Sequence, residues 1–160
     1  MYLLGLVISS VSFRFNKVYP MAKITKVKTG SQFEEIASYS RVVAVDNWIF
    51  VSNTAGRNPV TKTIPEDVIE QTEQVFENIE TALQAVGASL KDVVMSRVFI
   101  QNPEDTPSVM EFIGKKFRGV DPTTTVTCPP LGSTVYKVEL EVTAYRGASE
   151  AEVEYIKQDQ

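Results

Sequence analysis

Between Tyr136 and Ala144 the chain alternates strictly. Tyr136, Val138, Leu140, Val142 and Ala144 fall on one side, and Lys137, Glu139, Glu141 and Thr143 on the other. A period of two predicts a strand with one apolar face. The opposite face, with three charges and a threonine, must meet something polar: solvent, a ligand or a partner subunit. Val93 to Ile100 is a second strand, apolar except at Ser96 and Arg97. A guanidinium there needs a carboxylate or carbonyl partner, and Glu139 or Glu141 lies in reach across a sheet. Arg41 to Val45 and Trp48 to Ser52 are rich in β-formers and flank Asp46-Asn47, the pattern of a two-residue hairpin loop. Lys23 to Lys28 interleaves lysine with isoleucine, valine and threonine, as an edge strand protected from further pairing does.

A different period runs from Thr63 to Val86. Val68, Thr72, Val75, Phe76, Ile79, Leu83 and Val86 recur every three or four residues, so this segment is an amphipathic helix. Pro65 suits its first turn, Thr63 is a candidate cap, and Gly87 closes it. Val109, Phe112, Ile113 and Phe117 mark a shorter helix that starts near Asp105 or Thr106, with Pro107 at its first position, and stops at Gly119. Asp121 to Cys128 is a β-prone run of threonines. The polar segments Ser31 to Ser40 and Asn53 to Pro59 read as loops, and Ala148 to Gln160 as a tail.

The resulting order is β-β-α-β-α-β, with two helices on one face of a mixed sheet: an α+β sandwich. The face left bare holds Arg97, Lys137, Glu139 and Glu141, which suits a wet interface between copies of the chain better than a dry core. Residues 21–147 form one domain, preceded by an extension over 1–20 and followed by the tail.

Composition removes several chemistries. The 160 residues contain no histidine, which excludes Ser-His and Cys-His nucleophiles and His-ligated metals. Cys128 is the single cysteine, so no internal disulfide forms, as in a reducing compartment. Followed by two prolines and without a histidine to activate it, it reads as a buried or half-buried structural thiol. The net charge of −4 gives no footprint for nucleic acid. No segment is long and apolar enough for a membrane span. Residues 1–33 hold five basic residues and no acidic one, leaving 11 basic against 20 acidic residues, a net of −9, in the rest. The first 20 residues are an upstream start, an organellar presequence or an extra strand. A cytoplasmic location is expected, or an organelle matrix if they are a presequence.

Pro122, Thr125 and the unbroken run Lys137-Val138-Glu139-Leu140-Glu141-Val142 resemble the closing signature of the Rid family, the reactive-intermediate deaminases, also called YjgF-like or endoribonuclease L-PSP. Gln71, Asn78 and the run Gly87 to Val94 resemble that family's first helix and the segment after it. The resemblance spans about Lys26 to Arg146. It implies a chorismate-mutase-like fold assembled as a homotrimer, with clefts between subunits. It also implies hydrolysis of small reactive imines and enamines to a keto acid and ammonia, with no cofactor and no metal. Glu139 falls on the family's catalytic glutamate and Tyr39 on the tyrosine that closes the pocket. Asn53 and Thr54 stand where the family has its substrate-lining loop, with Asn53 in place of glycine, an exchange that asparagine's tolerance of positive φ permits.

One position departs. Thr124 stands where the family's carboxylate-binding arginine does. A hydroxyl in place of a bidentate cation forgoes about 2–5 kcal/mol of binding. The substrate is therefore not 2-aminoacrylate, and the chain resembles a branch lacking this arginine. Arg57, after the second strand, is the candidate replacement. Two functions follow: a deaminase-like hydrolase whose substrate's anionic end is absent or held elsewhere, or a non-catalytic trimer that binds a small metabolite or a partner.

Overall fold

The computed structural model describes residues 21–158. The expectations for Met1 to Pro20 lie outside them. Six strands form one sheet: β1 (Ile24–Val27), β2 (Val42–Val45), β3 (Trp48–Ala55), β4 (Val93–Ile100), β5 (Thr123–Thr127) and β6 (Val138–Tyr145), in the order β1-β2-β3-β6-β4-β5. All pairings are antiparallel except β4 with β5, which is parallel and is joined through a helix, as a parallel pair requires. Among the described residues three α-helices accompany the sheet: α1 (Gln32–Ile36), α2 (Val68–Gln84) and α3 (Thr106–Lys116).

α2 and α3 cover one face. Val138, Leu140, Val142 and Ala144 of β6 meet Val75, Phe76, Ile79 and Leu83 of α2, and all are buried. The Phe76 ring packs edge-on against Phe112 and Phe117, with centroids 6.3 and 5.1 Å away, and so locks the two helices together. Gly56 lets α2 approach β3 closely: a Cβ there would stand 2.5 Å from the Gln71 carbonyl oxygen. Gln71 is buried and fully engaged. Its amide donates to the Pro65 and Val135 carbonyls at 2.7 and 2.9 Å and accepts from the Lys137 N–H at 2.9 Å.

The structure corrects several sequence expectations. α2 begins at Val68, because the Asp67 carboxylate accepts from the Ile69 and Glu70 N–H groups and caps the helix there. The Ser31 to Ser40 segment is not all loop. Ser31 caps the one-turn helix α1, and its buried Glu34 accepts from Thr29 N–H, Thr29 Oγ1 and Gly30 N–H at 2.8, 2.9 and 3.1 Å. β3 runs on through Ala55, where a loop from Asn53 was expected. Cys128 is exposed rather than buried, its Sγ 3.7 Å from Thr106 Oγ1. Arg97 is also exposed and pairs with Glu141 at 3.1 Å.

Candidate active site on the open sheet face

The site grows from an irregularity in β3. Val51 pairs with Val142 and Thr54 with Leu140, so β3 uses three steps where β6 uses two. The extra residue is a β-bulge, and it reverses the in-out parity of the strand. Before it, Ile49 and Val51 face the core; after it, Thr54 does. Asn53 is thereby turned to the open face, with no left-handed backbone needed: its φ is not among the positive ones. There its side-chain amide donates a hydrogen bond to Glu139 Oε2.

Glu139 projects from β6 on the face opposite the helices, in register with Ala55 of β3 and Phe99 of β4. It is half-buried. Burial pushes its carboxyl above the usual carboxylate range, and the single Asn53 bond only partly offsets that. A carboxyl whose protonated form is favoured in this way can both take up and give back a proton, which is what proton transfer needs.

The bulge is held by a residue that sequence reasoning passed over. Arg41, just before β2, places Nη1 3.2 Å from Ser52 Oγ, 3.4 Å from the Asn53 carbonyl and 3.1 Å from Thr54 Oγ1. Its own carbonyl accepts from the Ser52 N–H at 3.0 Å. Nothing local marks an arginine at a strand start as special. The signal is the nonlocal bulge that it straddles.

The other expected site residues are placed as follows. Tyr39 is half-buried two residues before Arg41, at the same end of the sheet. Thr54 is buried on the helix side, and its hydroxyl donates to the Ser52 carbonyl at 2.7 Å. Thr124 pairs with Ser96, which pairs with Val142, so it belongs to the helix-side register rather than to the row of Glu139, Phe99 and Thr127. Its hydroxyl lies 2.8 Å from Ser96 Oγ. Arg57 is exposed, and its Nε donates to the Lys62 carbonyl at 3.3 Å within its own loop. The chain thus brings together Glu139, Asn53 and, through the bulge, Arg41. It does not bring Thr124 or Arg57 to them, and buried Thr54 meets Arg41 alone, at 3.1 Å.

A cleft of about 440 Å³ lies beside Pro65, Gln71 and Lys137, and another of about 350 Å³ beside Val120 and Ser149; Glu139 lines neither. At the far end of the open face, Trp48 and Tyr145 stack edge-on at 5.2 Å, and Phe50 is nearly half exposed at 47%.

A family model, Endoribonuclease L-PSP, matches residues 29–146. The chain belongs to this family, the Rid or YjgF family. The 2-iminobutanoate/2-iminopropanoate deaminase of Mus musculus is 31% identical over 116 residues, covering 70% of this chain and 84% of that one. The chloroplastic Reactive Intermediate Deaminase A of Arabidopsis thaliana is 30% identical over 146 residues, covering 82% and 76%. A crystal structure of a Mycobacterium tuberculosis protein of the YjgF/YER057c/UK114 family superposes with a TM-score of 0.70 at 31% identity, covering 77% of this chain and 99% of that one. The α+β architecture with its six-stranded sheet is thus that of the Rid family. Among the described residues no helix is long and apolar enough to cross a membrane.

Proposed function

We propose that this Rid-family chain hydrolyses small reactive imines or enamines and releases ammonia, in clefts completed by neighbouring copies of a homotrimer. The observation that carries this reading is Glu139: a half-buried carboxylate on the open sheet face, held by Asn53, with its pKa raised by burial. The relatives named as imine and reactive-intermediate deaminases support it. So does the open face itself, where Glu139 lines neither of the two clefts described and Trp48 and Phe50 offer apolar area to a second copy.

The carboxylate of Glu139 accepts a proton from water as the water oxygen bonds to the carbon of the protonated imine, whose C=N π pair moves onto nitrogen. The protonated carboxyl then returns that proton to the nitrogen of the carbinolamine. The C–N bond breaks, its electron pair leaves with ammonia, and the hydroxyl oxygen becomes the carbonyl as it loses its proton to the carboxylate. An imine is already activated, so one well-placed proton carrier meets most of the need. An enamine first tautomerises to the imine by taking a proton at carbon. Thr124 supplies no charge, so the anionic end of the substrate is absent or held by another residue. We place the protein in the cytoplasm, or in an organelle matrix as the relative named chloroplastic suggests.

Ammonia release from imines generated in the assay by an amino-acid oxidase tests the reading, with wild type, Glu139→Ala and Thr124→Arg compared. Activity in wild type that disappears in Glu139→Ala is the expected result. Silence from wild type with activity gained by Thr124→Arg would show a cleft retuned to another ligand. Silence from all three would sink the role of Glu139 and leave a binding protein.

A further inference from the structure

Arg41 does more than hold the bulge. Its Nη1 makes three contacts, all to Ser52, Asn53 and Thr54. Its Nε and Nη2, which together form the other edge of the guanidinium, have no acceptor among the described residues. Those atoms are not sealed away, since no buried polar side-chain atom is left without a partner. No carboxylate of the described residues pairs with Arg41, whereas Arg97 is engaged by Glu141. Arg146 donates to the Val86 and Asp46 carbonyls, and Arg57 to that of Lys62. A half-buried cation with one open fork edge and no counter-charge is complementary to a planar anion such as a carboxylate. The backbone and side chain of one residue, Asn53, link it to Glu139: Arg41 bonds its carbonyl, and its amide bonds the carboxylate.

We propose that Arg41 is the substrate-binding residue of this chain, receiving a carboxylate of the imine on its Nε–Nη2 edge while Glu139 acts at the C–N bond. This deepens the proposed function and rests on it for the chemistry, though not for the binding. A carboxylated imine would span from the guanidinium to Glu139 across the bulge. Thr124 then needs no charge, because the cation has moved from the edge strand β5 to the start of β2.

Two measurements separate the proposal from the activity on which it rests. The first is steady-state ammonia release from a carboxylated imine, made by an amino-acid oxidase, and from an uncharged imine, made by an amine oxidase. Arg41→Gln should raise KM for the carboxylated imine about a hundredfold more than for the uncharged imine, the loss expected for charge-assisted bonds, and the smaller loss on the uncharged imine measures the bracing of the bulge. Arg41→Lys, which keeps the charge and loses the fork, should fall between. Arg118→Gln, on the helix side of the molecule, is the control. A residue that only braced the bulge would damage both substrates alike, and that result overturns the proposal. The second is calorimetric binding of pyruvate to the folded proteins, matched by thermal melting. Binding by wild type that is lost in Arg41→Gln supports the anion site even if no imine is hydrolysed. Equal binding by both, or none by wild type, overturns it.

Discussion

Glu34 and Glu139 are two carboxylates that the fold withdraws from water, and their acidities move in opposite directions. Glu34, at the corner between β1 and α1, is desolvated, which by itself raises a carboxyl pKa. Three donors from Thr29 and Gly30, with Ser31 nearby, more than reverse this, and its pKa falls below the ordinary value. Glu139 on the open face is also desolvated but has a single donor, Asn53, and its pKa rises. Donor count, rather than burial alone, decides which carboxylate is fixed in its charged form and which remains able to carry a proton. The first is an architectural anion that ties a loop. The second stores a protonation equilibrium that a reaction can use.

Substitution of each tests that division, and the largest effect belongs to Glu139. Glu139→Gln should lower kcat/KM for ammonia release by about 10²- to 10⁴-fold, the usual worth of a positioned proton carrier, while thermal melting stays near wild type. A large loss of melting temperature with activity retained would place Glu139 with the architectural anions. Glu34→Gln should do the reverse. It should cost about 2 kcal/mol of unfolding free energy in urea titrations, from weakened charge-assisted bonds, and leave the proposed ammonia release by the folded protein unchanged.

The pH dependence of stability should separate them with a smaller effect. Glu139 has a raised folded pKa, so the folded state favours its protonated form. Its contribution is fully present below the unfolded value of about 4.5 and is lost as pH rises through the folded pKa. Glu34 has a lowered folded pKa, so its contribution is present above 4.5 and is lost as pH falls below it. Urea midpoints across pH 3 to 8 should therefore show the gap between wild type and Glu34→Gln closing on acidification. The Glu139→Gln variant should gain on wild type as pH rises. Gaps that change with pH in the same direction in both would contradict the comparison.

How much of this was legible depended on how local the cause was. The alternation from Tyr136 to Ala144 is a property of adjacent residues, and it placed Val138, Leu140, Val142 and Ala144 in the core as expected. The same reading offered Glu139 or Glu141 as the partner of Arg97; register across the sheet selects Glu141. α1 was missed although Ser31 and Glu34 stand at capping-box spacing, because five residues give too short a period to detect. The positions of Thr124 and Asn53 were not legible at all. One depends on β5 pairing parallel to β4 through α3, the other on a bulge fixed by Arg41 from another strand. Both arise from pairing distant in sequence, which no local period encodes.

The central claim is that burial, moderated by Asn53 alone, tunes Glu139 for proton transfer, and the pH profile of kcat/KM tests it most directly. Wild type should show activity rising with pH through an inflection above 4.5, the ordinary glutamate value. Asn53→Ala removes the one donor that favours the charged form, so its inflection should move to higher pH. A wild-type profile with no inflection above 4.5, or one that Asn53→Ala leaves in place, would contradict the account.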